Sequence, residues 1–247
     1  GFEPVDYRAL YGASGTPTIG GVAAANISGS RRITAGAARD GLLGVRFVNG
    51  SGEAIKNGGR VMKNVTGLDL VKLMAGSWGT LGLLTEVSFK VLPRPETETT
   101  LVIHGASDSE ASNLMAAAMG TSAEVSGAAH LPERVAKRAG FGDAAATLLR
   151  LEGFAESVAA RLDRLKKALT TAPETSVLDD ARSKPAWKQL CDVAPFAGGA
   201  KPLWKISVAP MAGHDVAAII LRQLHGQAFY DWQGGLVWLQ LEDESDV

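Results

Sequence analysis

The sequence predicts an α+β fold in two segments: a glycine-rich one over residues 1–95, then an antiparallel sheet with helices packed on one face over residues 96–247. Three observations carry this expectation. Glycines concentrate between residues 12 and 82. Pro93-Arg94-Pro95 forms a seam, because proline lacks a backbone N–H and restricts the residue before it. Beyond residue 100, strand-like and helix-like periods alternate and close on a hairpin.

In the first segment Leu43-Gly-Val-Arg-Phe-Val48 is a strand, and Asn49-Gly50-Ser51-Gly52 turns it into Glu53-Ala-Ile-Lys56, so the pair reads as a hairpin. Thr66-Gly-Leu-Asp69 matches a helix-start capping pattern and puts Leu70, Leu73 and Met74 on one face of a short helix that runs into Gly76. From Leu81 to Leu92, Val87, Phe89 and Val91 alternate with Glu86, Ser88 and Lys90, the two-residue period of a half-buried strand.

In the second segment Leu101-Val-Ile-His104 reads as a strand, residues 109–119 as a helix and Thr147 to Leu151 as a strand. Residues 155–169 carry the clearest helical period. Val158, Leu162, Leu165 and Leu169 share a face that should meet the sheet, while Arg161, Asp163, Arg164, Lys166 and Lys167 mostly fall on the solvent side. Trp204 to Val208 is a strand, and Asp215 caps a helix through Leu224. Phe229–Trp232 and Leu236–Leu241 form a last hairpin around Gly234-Gly235. No internal repeat and no low-complexity tract is visible.

Composition excludes several classes of function. Hydrophobic residues make up 46% and charged residues 21%, with no acidic or basic block, the balance of a folded globular chain. A formal charge of −1 gives no electrostatic footprint for nucleic acid. No apolar run reaches the about 18 residues that a membrane-spanning helix needs. Gly1 to Asp6 lack the basic and then apolar start of an export signal. A single cysteine, Cys191, cannot build an internal disulfide or a multi-cysteine zinc or iron–sulfur site, and a cytoplasmic location is the simplest expectation.

Two glycine stretches carry the chemistry. In Gly15-Thr-Pro-Thr-Ile-Gly-Gly-Val-Ala-Ala-Ala-Asn-Ile-Ser-Gly29 nearly every residue is small, which lets a backbone approach a bulky ligand and offer N–H groups to an anion such as a pyrophosphate. A glycine-rich turn linking packed elements would leave the same trace. Gly76-Ser-Trp-Gly79-Thr-Leu-Gly82-Leu-Leu-Thr85 spaces three glycines by three residues between a helix and a strand. Neither is a Rossmann fingerprint or a Walker loop, so a nicotinamide enzyme and a nucleoside triphosphatase are poorly supported.

Taken in order, Thr18-Ile-Gly-Gly-Val-Ala-Ala-Ala-Asn26, Ala38-Arg-Asp-Gly-Leu-Leu-Gly-Val-Arg46, Lys63-Asn-Val-Thr-Gly-Leu-Asp-Leu70 and Gly76 to Thr85 resemble the vanillyl-alcohol-oxidase/PCMH-type FAD-binding domain. The version here is most similar to the FAD-binding subunits of glycolate oxidases. Leu151-Glu-Gly-Phe154, Leu203-Trp-Lys-Ile-Ser207 and Tyr230-Asp-Trp-Gln-Gly-Gly-Leu-Val-Trp-Leu239 are similar to the cap segments of those subunits. The resemblance implies that residues 1–95 are the second subdomain of an FAD-binding domain and that residues 96–247 are a cap, or substrate, domain. It implies FAD as cofactor. Thr18, Ile19, Gly20, Gly21 and Asn26 would lie as a loop against flavin and pyrophosphate, with Gly29 closing it. Arg39 and Asp40, with Gly79, Gly82, Leu83 and Leu84, would complete the wall. Trp78 departs from the pattern, since related D-lactate and D-2-hydroxyglutarate dehydrogenases usually carry an acidic residue there.

The function so implied is that of an FAD-dependent oxidoreductase subunit. It would take a hydride equivalent from glycolate or another small 2-hydroxy acid and pass electrons to an iron–sulfur partner, beside a paralogous flavoprotein subunit. Any attachment at the inner membrane would come through those partners. A non-catalytic FAD-binding or assembly subunit is the alternative, kept open because no catalytic base and no convergent arginine pair is evident. The resemblance also implies an arginine/glycine-rich pyrophosphate loop before Phe2 and an Asn-Pro-Gly-Arg-like ending, neither of which this sequence contains. The expectation is therefore a chain without its N-terminal FAD subdomain and C-terminal end, holding no FAD alone and inactive alone. Residues 12–40 would be loosely held, and apolar surface would promote self-association.

The remaining candidates have ordinary readings. His104, His130, His214 and His225 show no metal-ligand spacing, and His130, beside Leu131-Pro132, is the one best placed for a base. No metal site is expected. Trp187, Trp204, Trp232 and Trp238 read as core anchors before cavity walls, and Cys191, in a helical stretch opened by Pro185, as a buried inert thiol.

Overall fold

The structure is a computed structural model that describes residues 2–59 and 67–243. It forms two compact units, one of Gly1–Arg8 and Ala13–Pro93, the other of Ala9–Gly12 and Arg94–Val247.

After one turn, α1 (Arg8–Tyr11), come three short helices, α2 (Ile19–Ala25), α3 (Arg32–Ala35) and α4 (Ala38–Gly41). They are followed by β1 (Leu42–Val48), β2 (Ala54–Gly58), α5 (Leu70–Met74) and β3 (Leu83–Phe89). β1 is the centre of an antiparallel sheet of order β2-β1-β3. The expected hairpin forms because Asn49 Oδ1 accepts the N–H groups of Ser51 and Glu53 at 3.0 and 2.9 Å. Leu42, Val45 and Phe47 pack on Val71 and Met74 of α5. Burying side chains of this kind is worth about 1.5–3 kcal/mol each, so this cluster holds the unit together.

The α5 face differs from the expected one. Leu73 is exposed and Val71 is buried, because a helix of little more than one turn is oriented by the packing of Val71 and Met74 on β1 rather than by a longer stripe. Asp69 is its cap, accepting the N–H of Lys72 at 3.0 Å, while Thr66 and residues 63–65 of the same motif lie outside the described residues. Val91 lies beyond the end of β3 and is exposed. Within residues 12–40, expected to be loosely held, the part from 28 to 38 is anchored by hydrogen bonds. Gly29 N–H donates to Glu3 O at 2.9 Å, Arg31 N–H to Glu3 Oε2 at 3.1 Å and Ala38 N–H to Ser28 Oγ at 3.0 Å.

The second unit contains β4 (Thr97–His104), α6 (Asp108–Met119), β5 (Gly127–Leu131), α7 (Glu133–Arg138), β6 (Ala146–Gly153), α8 (Ala155–Ala168) and β7 (Thr175–Leu178). α9 (Asp180–Cys191), β8 (Leu203–Ser207), α10 (Gly213–Leu221), β9 (Gly226–Asp231) and β10 (Leu236–Leu241) follow. The strands make a seven-stranded sheet of order β7-β4-β6-β5-β9-β10-β8, antiparallel at every pairing. Its first part, β4-α6-β5-β6-α8-β7 in spatial order β7-β4-β6-β5, is the βαββαβ ferredoxin-like arrangement. β8-α10-β9-β10 repeats the opening of that pattern, and the equivalent strands β5 and β9 meet at one register pair, His130 and Tyr230. The sequence shows no trace of this duplication.

Side chains alternate across a strand, which separates the two faces of the sheet. Leu101 and Ile103 pack with α6 and with Val158, Leu165, Leu169 and the partly buried Leu162, the face expected of that helix. Ala217 of α10 packs on Ala228, Tyr230, Val237 and Leu239. α9, the helical stretch that holds Cys191, covers the opposite face, where Trp187 Nε1 donates to Thr100 Oγ1 at 2.8 Å and the Arg150 guanidinium lies 4.5 Å from the Trp187 ring centroid.

Three details depart from the sequence reading. Arg161 is buried rather than solvent-facing, because its guanidinium donates to the carbonyls of Ala123 and Glu152. α9 opens at Asp179, whose Oδ1 accepts the N–H of Arg182 at 3.1 Å, and Pro185 lies inside it. Asp215 sits in the first turn of α10 and does not cap it, since the helix starts two residues earlier, where Gly213 approaches the backbone of Gly234.

Candidate functional site

The stretch expected as a loop is helical. Thr18 is extended (φ −123°, ψ 148°) and its Oγ1 accepts the N–H of Gly21 at 3.0 Å, so one glycine amide already serves the cap of α2. Asn26 ends the helix in the left-handed region (φ 50°, ψ 39°), which asparagine tolerates better than most residues. Its Oδ1 then accepts the N–H of Arg39 at 2.9 Å. Lys72 Nζ donates to the carbonyls of Arg39 and Leu42 at 2.5 and 2.9 Å, tying α5 to the same corner. The N–H groups of Gly76 and Trp78 donate to Ala23 O at 3.3 Å and Ala24 O at 2.9 Å.

Asn26, Arg39 and the loop at 76–78 therefore meet at the end of α2. Gly20 faces β3, where an added Cβ would lie 3.7 Å from Leu84 Cβ. Gly82 has no room for a side chain, since a Cβ would stand 2.5 Å from Val48 O. Gly79 has φ 78° and open space around the position of a Cβ. Gly29 is a buried anchor bonded to Glu3. Thr18, Ile19, Gly21, Arg39, Asp40, Gly79 and Leu83 are exposed, and Asp40 Oδ2 accepts the N–H of Ala37 at 2.8 Å. Trp78, which the sequence marked only as a departure, is exposed on the same loop; its position between glycines was the signal.

In the second unit His130 is fully buried, with Nδ1 2.9 Å from Thr147 Oγ1 and Nε2 3.3 Å from Asp108 Oδ1. Tyr230 donates its hydroxyl to Asp108 Oδ2 at 2.5 Å. Burial opposes the charge of Asp108, but the hydrogen bonds from His130 and Tyr230 outweigh it and hold the carboxyl below its usual range. Burial, with the Asp108 charge beside it, pushes the Tyr230 phenol well above its usual range. Asp108 and Tyr230 form one wall of a cleft of about 460 Å³, but His130 is spent on its partners and is a core residue rather than an accessible base. Trp187, Trp232 and Trp238 are buried core residues, Trp204 is partly buried and Cys191 is a buried free thiol. Among the described residues no group of three or more His, Cys, Asp or Glu side chains could hold a metal ion. No described helix is long and apolar enough to cross a membrane.

No protein-family model matches the chain. It is 34% identical over 233 residues to glycolate oxidase subunit GlcE of Escherichia coli (strain K12), a match covering 93% of this chain and 57% of that protein. It is 44% identical over 85 residues to glycolate oxidase subunit GlcD of Bacillus subtilis (strain 168), covering 34% of this chain and 18% of that protein. The chain thus spans little more than half the length of its long match. The crystal structure of p-cresol methylhydroxylase with substrate bound has the same fold at a TM-score of 0.63 and 13% identity, over 92% of this chain and 56% of that one. The fold defines the class, a mixed helix and antiparallel-sheet protein with the architecture of that enzyme. Along most of its length the chain is similar to a glycolate oxidase subunit, and it shares the fold of p-cresol methylhydroxylase.

A flavin dinucleotide joins a flat, largely apolar ring to an anionic pyrophosphate. The exposed residues of these segments include both kinds of partner: Ile19, Trp78 and Leu83 as apolar surface, Arg39 as a cation and the open backbone at Gly79. The residues present fit the group.

Proposed function

We propose that the chain is the FAD-binding part of an oxidoreductase subunit acting on glycolate or another small 2-hydroxy acid, in complex with a paralogous flavoprotein subunit and an iron–sulfur subunit. The observation that carries this reading is the 34% identity to a glycolate oxidase subunit along 93% of the chain. Residues 1–95 act as the second subdomain of the FAD-binding domain and residues 96–247 as the cap. Thr18, Ile19, Gly20, Gly21, Asn26, Arg39, Asp40, Gly79, Gly82, Leu83 and Leu84 form the cofactor wall, with Gly29 anchoring it from behind. FAD supplies the redox chemistry by accepting a hydride equivalent, and the protein supplies position and electrostatics. Asn26 and Lys72 fix the Arg39 backbone, so the guanidinium starts from a set position. The subunit is cytoplasmic, and any attachment at the inner membrane comes through its partners.

One observation favours a second reading, a non-catalytic FAD-binding or assembly subunit: no catalytic base is evident, and His130, the histidine best placed for one, is buried and fully partnered. A spectrum of the protein purified with its partner subunits, before and after anaerobic addition of glycolate, separates the two. Flavin assigned to this subunit that bleaches supports the first reading, and flavin there that does not bleach supports the second. No flavin in this subunit overturns both.

A further inference from the structure

We propose that Trp78 makes direct contact with the flat ring system of the bound dinucleotide, an inference that rests on the flavin reading above. Three of the other tryptophans are buried and the fourth is partly buried, whereas Trp78 is 70% exposed. Its exposure does not come from a loose backbone. The N–H of Trp78 donates to Ala24 O at 2.9 Å, the N–H of Gly76 to Ala23 O at 3.3 Å, and Thr80 Oγ1 to Ser77 O at 2.7 Å, so the loop is pinned on both sides of the indole. Trp78 also has φ 55°, a left-handed conformation that a bulky side chain adopts only when its surroundings impose it. Strain of this kind collects where a side chain must be held in place for a ligand.

The chemistry of the ligand follows from the neighbours. Gly79, the next residue, leaves open space where a side chain would stand, and the exposed Leu83 follows on the same stretch. The anchoring carbonyls belong to α2, which carries Thr18 to Gly21. An indole already fixed by the backbone loses little freedom when a planar heteroaromatic ring stacks on it, and every such ring offers a face. In FAD that ring is the isoalloxazine or the adenine.

Trp78→Asn removes the ring but suits the left-handed backbone, and Trp78→Phe keeps a ring. The measurement is the dissociation constant of FAD, and of riboflavin and ADP as separate probes, for the flavin-stripped protein in its complex. FAD should bind about tenfold more weakly to the Asn variant and within about threefold of wild type to the Phe variant. Riboflavin shares the loss if the isoalloxazine is the partner, ADP if the adenine is. Wild-type binding should quench an indole emission that the Asn variant lacks. Unchanged FAD affinity in the Asn variant, or equal losses in both variants, overturns the proposal while leaving the flavin reading standing. Failure of the wild-type subunit to bind FAD removes that reading itself.

Discussion

Asp108 receives a hydrogen bond on each carboxylate oxygen, from His130 and from Tyr230, and so ties the start of α6 to both β5 and β9. A proton on Nε2 in this pairing leaves Nδ1 of a neutral ring to accept from the Thr147 hydroxyl. The Asp108 carboxyl titrates below its ordinary value of 3.8 in the fold, with His130, Tyr230 and His214 as its charged or titratable neighbours. A lowered folded value means that its stabilisation is complete above the unfolded value and is lost as pH falls through the folded one. Tyr230→Phe removes one charge-assisted hydrogen bond and should destabilise the protein by about 1.5–3 kcal/mol at neutral pH, read from urea unfolding. The gap between variant and wild type should narrow as pH falls below the ordinary carboxylate value towards the lowered one of the folded protein, where the carboxyl takes up its proton. A gap that widens in acid would refute the assignment. None of this was legible in the sequence: His130 was marked by its position, but Tyr230 lies 122 residues from Asp108 and nothing local links them.

Elements were more legible than pairs. Val158, Leu162, Leu165 and Leu169 gave the inner face of α8 because helical period is local, and the hairpin at Asn49 to Gly52 followed from turn chemistry. α2 was misread as a loop because glycine disfavours helices, yet the Thr18 cap and the run from Val22 to Ala25 prevail over Gly20 and Gly21. The start of α10 depends on a contact between distant backbones. A Cβ on Gly213 would stand 2.1 Å from Gly234 O, at a turn where Trp232, Gln233 and Gly234 all have positive φ. Gly213→Ala should therefore cost about 1–3 kcal/mol by thermal or urea unfolding. Gly50→Ala, at a position with nothing within 4 Å, should be close to neutral and serves as the control. Equal effects at the two positions would mean that the close approach is not real.

At the scale of the molecule, the candidate site was legible as a set of segments but not as an arrangement. Three of the ordered motifs supply nearly all of the proposed cofactor wall, whereas the hydrogen bonds joining Asn26 to Arg39 and Trp78 to Ala24 arise only when α2 folds against its neighbours. The duplicated topology of the second unit was hidden because pairing order is not written in local periodicity. Its consequence concerns cooperativity. Each half of the seven-stranded sheet has its own helices and core, and the halves share a single register pair at His130 and Tyr230, clasped by Asp108. Such a sheet can open as two blocks, with that clasp deciding whether they open together or apart. With the Tyr230→Phe change, amide hydrogen exchange should quicken in β8, β9 and β10 ahead of β4 and β6, so that one residue at the midline sets whether the unit behaves as one foldon or two.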